Sequence, residues 1–164
     1  MRIVLCMSLN SPWSIMIAQE LQSLGHEVYV FDFVLQKRNG YMDINNPKIN
    51  ADIEEFKKKI SGIHLIPTNI NNEFRYIYGA PKLRNFVNEI KADIVLTLYC
   101  GGFGLMSYLS GFKPYTIYAV GSDILKVKKF YRFINKYVIE KAAKVFANGV
   151  YLSNQTKIQA AKAD

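Results

Sequence analysis

The sequence predicts an α/β domain of the Rossmann-like kind, a doubly wound parallel sheet with helices on both faces. Three observations carry this. Short apolar runs rich in β-branched residues recur without polar alternation, the pattern of strands buried on both faces. Segments with apolar residues at helical spacing separate them. The length, 164 residues, suits a single domain with one core.

The elements follow in order. Arg2 to Met7 reads as the first central strand, followed by the polar turn Ser8-Leu9-Asn10. Ser11 and Pro12 supply an N-cap and a first-turn proline for a helix carrying Ile15, Ala18 and Leu21 to Leu24, and Gly25 is placed to end it. Glu27 to Phe33 is the second strand, so the opening is a βαβ unit with a right-handed crossover, and the sheet is parallel. Residues 34–51 are polar, Asn-rich and interrupted by Pro47, which predicts a loop before a short helix from about Asp52 to Ile60. Ile63 to Ile66 is a third strand ended by Pro67, and Gly79 to Lys91 a helix with Leu83, Phe86, Val87 and Ile90 inward. Asp93 to Leu98, a helix over Gly102 to Ser110 with Leu105, Met106 and Leu109 inward, and Tyr115 to Val120 continue the alternation. Lys126 to Ala142 is the longest helix, Val145 to Ala147 a sixth strand, and Ser153 to Ala163 a last helix.

Composition narrows the function. The longest apolar runs, such as Ile94 to Leu98, stop well short of the roughly 20 residues of a transmembrane helix, and no secretory signal follows Met1, so a cytoplasmic protein is expected. Cys6 and Cys100 fall in or at the end of buried strands and read as free thiols, with neither a disulfide nor a metal site. The 21 Lys and Arg against 13 Asp and Glu give +8, which favours an anionic partner without choosing among nucleic acid, nucleotide phosphate and acidic lipid.

In an open parallel sheet, ligands bind beyond the carboxyl ends of the strands. Four places qualify: Ser8 to Ser11, Cys100 to Gly104, Gly121 to Asp123, and Asn148-Gly149. The candidate substrate-binding residues there are Ser8, Asn10, Cys100, Gly101, Gly102, Gly121, Ser122, Asp123 and Asn148, expected to converge on one edge of the sheet. The dinucleotide fingerprint G-x-G-x-x-G is missing after the first strand and no G-x-x-x-x-G-K-[ST] occurs, which disfavours a nicotinamide dehydrogenase and a P-loop kinase. Cys100-Gly101-Gly102-Phe103-Gly104 offers backbone N–H groups at a helix N-terminus for an anion, with a purely structural turn as the equal alternative. Ser122 and Asp123 likewise read either as site residues or as the N-cap of the next helix. His26 lies at the wrong edge and His64 inside a strand, so neither is a base; no Ser-His-Asp or metal constellation is present, and the catalytic residues are not identified.

The helix from Lys126 carries six Lys or Arg and one acid through Lys141. Val127, Phe130, Ile134, Tyr137 and Val138 form an inward stripe, leaving the basic residues with Tyr131 and Phe133 toward flank or solvent. Two readings stand: an ordinary surface helix, or attachment to anionic lipid through Lys126, Lys128, Lys129 and Arg132. Nucleic acid is a poorer third, since no recognised binding module accompanies the charge, and the expectation is no nucleic-acid partner.

Several stretches carry a resemblance. The opening Met1-Arg2-Ile3-Val4-Leu5, Leu24-Gly25-His26-Glu27-Val28, Lys91-Ala92-Asp93-Ile94-Val95, Lys113-Pro114, Val120-Gly121-Ser122-Asp123-Ile124-Leu125 and Glu140-Lys141-Ala142-Ala143-Lys144-Val145 resemble, in order and spacing, the N-terminal domain of GT-B glycosyltransferases, closest to family four. The resemblance implies one half of a GT-B fold. It further implies retaining transfer of a sugar from a nucleotide diphosphate donor to a glycan or lipid-linked acceptor, without a required metal or other cofactor, in a cleft between two domains. Residues 1–164 would be the acceptor-side domain, with the donor-binding domain absent from this chain and the fragment inactive alone. A lipid-linked acceptor would place the protein peripherally on the inner face of the cell membrane. Two departures stand out: Ser8-Leu9-Asn10-Ser11 replaces a glycine-rich loop, and Leu98-Tyr99-Cys100 stands where many relatives have a histidine. The rival from another class is a stand-alone Rossmann-like or flavodoxin-like binding or interaction domain without catalysis.

Overall fold

A computed structural model describes residues 1–9, 11–35, 53–70, 72–127 and 129–161. Six strands pair in parallel in the order β3-β2-β1-β4-β5-β6: β1 Arg2–Cys6, β2 Glu27–Leu35, β3 Gly62–Thr68, β4 Ile94–Leu98, β5 Tyr115–Ala119 and β6 Lys144–Ala147. The helices are α1 Pro12–Ser23, α2 over 53–57, α3 Phe74–Glu89, α4 Gly102–Ser110, α5 Ser122–Leu125, α6 Lys129–Lys141 and α7 Val150–Ala161.

The unbroken apolar character of β1 has a direct cause. Ile3, Leu5 and Met7 pack into a cluster with Ala18 of α1 and with Ile53, Phe56 and Ile60 in and just after α2, while Val4 and Cys6 enter the opposite cluster with α3, α4, α6 and α7. Successive side chains point to opposite faces, so a strand buried on both has no polar position to alternate with. Chain order reverses between β1 and β4, making the crevice beyond their carboxyl ends the topological switch point.

The structure corrects several expectations. β3 runs through Pro67, which pairs in register with Val34; β3 is the edge strand, where a residue without an N–H is tolerated. Helix α3 begins at Phe74 rather than Gly79 and carries Pro81 inside it. In α4 the inward residues are Phe103, Met106, Ser107 and Ser110, and Leu109 is exposed, because the buried stripe is shifted in phase from the one expected. The basic helix expected over Lys126 to Ala142 is α6, Lys129–Lys141, preceded by the separate short helix α5, and the longer helix is α3. Along α6 the buried positions are Asn135, Lys136, Val138 and Ile139, whereas Tyr137 is exposed. The buried Lys136 ammonium lies 3.5 Å from Glu140, one turn on. The remaining helix and strand ends differ from expectation by up to a few residues, and the loop expected from residue 36 to 51 lies outside the described residues.

Candidate functional site

Two of the four expected places, Cys100 to Gly104 and Gly121 to Asp123, meet at the carboxyl edge of the sheet through Asp123. Its Oδ2 accepts a hydrogen bond from the Cys100 N–H at 2.7 Å, and its Oδ1 accepts from Gly121 at 2.9 Å and Val120 at 3.2 Å. One carboxylate thus ties the loop after β4 to the loop after β5. The Asp123 carbonyl accepts from Asn135 Nδ2 at 2.8 Å, bringing α6 to the same point. This is close to the capping alternative: the carboxylate satisfies N–H groups ahead of a short helix. Gly121 makes the turn at φ 119°, a conformation that L side chains rarely adopt.

The loop after β4 has its own strain. Tyr99 sits at φ 72°, in the left-handed region where an aromatic residue is uncommon. Its carbonyl accepts the Gly104 N–H at 3.1 Å. Gly101 and Gly102 differ in what surrounds them. A Cβ on Gly102 would lie 2.2 Å from the Tyr76 ring, whereas one on Gly101 would meet nothing within 4 Å. Gly102 is therefore the bed for Tyr76, and Gly101 leaves the N-terminus of α4 open. Both alternatives for the glycine run have a carrier.

These loops and the start of α3 enclose a cleft of about 610 Å³ whose lining includes Arg75, Tyr76, Gly101, Gly102, Ser122, Asp123, Lys126, Tyr131 and Asn135. The Arg75 guanidinium stands 4.8 Å from the Tyr76 ring centroid and 5.9 Å from that of Phe33, and its Nη2 donates to the Tyr76 hydroxyl at 2.7 Å. Arg75 Nε and Asn135 Oδ1 are buried without a hydrogen-bond partner. A hydrogen bond to Glu73 pushes the Tyr131 hydroxyl pKa up. Ser122 also lines a second, smaller pocket of about 240 Å³ with Trp13, Tyr99, Tyr118, Val120 and Asn148.

The sequence-predicted residues divide accordingly. Gly101, Gly102, Ser122 and Asp123 line the large cleft, and Ser122 and Asn148 the small one. Gly121 and Cys100 are joined to them through Asp123, with the Cys100 side chain fully buried and its thiol pKa raised by desolvation. Ser8 lies in the loop after β1, two strands away from β5, and lines neither pocket, and Asn10 lies outside the described residues. Of the expected lipid-facing cations, Lys126 and Arg132 are exposed; Lys128 and the side chain of Lys129 lie outside the described residues. Lys126 lines the cleft. His64 stacks against Phe31 and Phe86, at 5.3 and 4.4 Å, with its pKa lowered mainly by burial, which is a packing role.

Sequence reasoning missed Arg75, Tyr76, Asn135, Trp13 and Asp32. Asp32 is buried within β2, where its oxygens accept from Leu9 at 2.8 Å and Phe33 at 2.7 Å. Burial pushes its pKa up to about 7. It anchors the loop that follows β1.

A parallel sheet with strand order 3-2-1-4-5-6, with a cleft beyond the carboxyl ends of β4 and β5, is the architecture of a Rossmann-like domain. The family model for glycosyl transferase 4-like proteins matches residues 2–149, so the chain belongs to that family. Among solved structures, UGT73P12 of Glycyrrhiza uralensis, crystallised with glycyrrhetinic acid 3-O-monoglucuronide, superposes with TM-score 0.57 at 10% identity over 96% of this chain. The fold is that of one half of a GT-B glycosyltransferase, and the chain spans 46% of that structure's length. A putative NAD-dependent epimerase/dehydratase from Bacillus halodurans aligns over 96% of this chain and 98% of its own at TM-score 0.40 and 13% identity. No curated protein sequence matches the chain. No described helix is long and apolar enough to cross a membrane.

Proposed function

We propose that this chain is the acceptor-side domain of a retaining glycosyltransferase that moves a sugar from a nucleotide diphosphate sugar to a glycan or lipid-linked acceptor, the donor being held mainly by a second Rossmann-like domain. The observation that carries the reading is the cleft of about 610 Å³ at the carboxyl edge of the sheet, in a chain of the glycosyl transferase 4-like family. Its lining suits a saccharide: the Arg75 guanidinium can donate to sugar oxygens, the Asn135 amide oxygen can accept from a sugar hydroxyl, the Ser122 hydroxyl can do either, and the aromatic faces of Trp13, Tyr99 and Tyr118 next door can pack on a sugar ring. Those groups bind and orient. Neither His64, stacked on Phe86 at the edge strand, nor Cys100, a buried thiol of raised pKa, is set up as a nucleophile or base. The reading invokes no metal or other cofactor.

Two features of α6 support peripheral attachment to the inner face of the cell membrane from the cytoplasmic side. Arg132 is exposed, and so are Phe133 and Tyr137, whose rings meet edge to face at 5.0 Å.

Saturation-transfer NMR on the 164-residue chain tests the acceptor assignment. Oligosaccharides are expected to receive saturation, UDP- and GDP-sugars to bind at least about tenfold more weakly, and no donor to be turned over. Tight nucleotide-sugar binding without saccharide binding, or measured turnover by this chain, would contradict it.

A further inference from the structure

Arg75, in the lining of the cleft, is only partly bonded. An arginine carries five N–H donors and cannot shed its charge in a protein. Here the hydrogen bond to the Tyr76 hydroxyl occupies one donor, two aromatic faces cover the guanidinium, and Nε is buried with no partner. Among the described residues no carboxylate forms an ion pair with it. The acids of the cleft are otherwise engaged: Asp123 holds three backbone N–H groups and Glu73 holds the Tyr131 hydroxyl. The Arg75 charge acts on the buried Asp32, lowering its pKa against the larger effect of burial, but the two Asp32 oxygens are bound to Leu9 and Phe33. Lys126 adds a second cation to the lining.

Asn135 supplies the complementary group. Its side-chain nitrogen faces the Asp123 carbonyl, which can only accept, so the orientation of the amide is set and Oδ1 is the atom left without a partner. Asn135 is 1% exposed, and a buried amide oxygen facing no donor is costly unless a ligand completes it. The cleft thus presents an unsatisfied cationic donor at Arg75 and an unsatisfied acceptor at Asn135.

We propose that the acceptor recognised here is an acidic saccharide, whose carboxylate or phosphate is held by Arg75 while one of its hydroxyls donates to Asn135. This deepens the acceptor-side reading and rests on it. Charge-assisted bonding to a guanidinium is the strong, geometrically specific kind, so it discriminates against a neutral sugar of the same shape.

The test titrates the full 164-residue chain, labelled with 15N, with glucuronate, glucose 6-phosphate and glucose to tens of millimolar, observing the Arg75 Nε–H and the Asn135 side-chain amide. At least one of the two acids is expected to saturate and shift both signals, and their relative affinities decide between carboxylate and phosphate. Glucose is expected to bind about tenfold or more weakly. Arg75→Gln is expected to remove the preference for the acid, and Arg75→Lys to keep part of it. The comparison of acid with glucose on the unmodified chain stands even if a variant fails to fold. Equal binding of glucose and both acids, or no saturable binding of either acid, would overturn the proposal. So would a tighter response of the same two signals to UDP, which would assign Arg75 to a donor phosphate. Lost acid preference with retained oligosaccharide binding removes this inference and leaves the acceptor-side reading in place, whereas tight nucleotide-sugar binding without saccharide binding defeats that reading itself.

Discussion

Replacing Asp123 by asparagine asks whether that carboxylate knits the cleft together or stands free for a ligand. In the structure Oδ2 takes the Cys100 N–H at 2.7 Å, and Oδ1 takes Gly121 at 2.9 Å and Val120 at 3.2 Å. An asparagine keeps one acceptor. Its best placement leaves the oxygen on Gly121 and Val120 and turns the amide NH2 toward the Cys100 N–H, a donor facing a donor. One charge-assisted bond is lost, worth roughly 1.5–3 kcal/mol. In a chain of this size about 2 kcal/mol lowers Tm by roughly 4–8 °C. Asp123→Ala removes all three bonds and is expected to cost about twice as much. Urea unfolding followed by circular dichroism, with a thermal melt as a second readout, measures both variants. If Asp123→Asn unfolds within about 0.5 kcal/mol of the unmodified chain, the carboxylate is not structural and the account of how the two loops are joined is wrong.

Other expectations follow from the same geometry. Gly102→Ala drives a methyl into the Tyr76 ring, at 2.2 Å before relaxation, and is expected to displace Tyr76 and weaken saccharide binding, whereas Gly101→Ala meets open space and is tolerated; equal effects in a binding titration would contradict this. Asp32 gives a pH signature. Its folded pKa is raised from 3.8 to about 7, so the neutral acid is favoured in the fold and its stabilising share, full below about pH 4, is lost as pH rises toward 7. Between pH 5 and 6.5 the unfolding free energy of the unmodified chain should fall relative to Asp32→Asn by up to about 1.4 kcal/mol per pH unit, and parallel profiles would show that burial does not hold the proton there. Sedimentation with anionic and neutral vesicles at low and high salt should show salt-sensitive binding to the anionic ones, weakened by Arg132→Glu and by Phe133→Ala; indifference to vesicle charge would leave α6 as an ordinary solvated surface.

The sheet was legible because its strands are short, apolar and buried on both faces: Ile3 to Met7 and Val28 to Phe31 divide between the two core clusters as that pattern requires. The ligand edge was legible for the same reason, since a parallel sheet dictates which loops share it. What escaped reading depended on helix phase and on long-range partners. The sequence Gly79-Ala80-Pro81 looks like a helix beginning, so the turn before it, with Arg75 and Tyr76, was passed over; yet Gly79 is there because a Cβ would strike Phe33 and Met106 where α3 crosses β2 and α4. Asp32 looks like an ordinary polar residue in a strand until the Leu9 N–H is seen beside it. Tyr137 and Lys136 exchanged their expected sides because an amphipathic period locates a stripe only to within a residue or so when aromatic and basic residues alternate closely, and Lys136 finds Glu140 one turn on. Asn135 carried no local signal; its role comes from a carbonyl contributed by α5.

Saccharide is expected to bind at the carboxyl edge of β4 and β5, in the cleft that Asp123 organises. Mapping backbone amide shifts during titration of the 15N-labelled chain with an acidic oligosaccharide tests this most directly. Saturable shifts should concentrate at Tyr76, Gly101, Gly102, Ser122 and Asn135 and spare the opposite edge around Gly25, His26 and Gly111. Shifts centred on that opposite edge, or on the exposed face of α7, would contradict it.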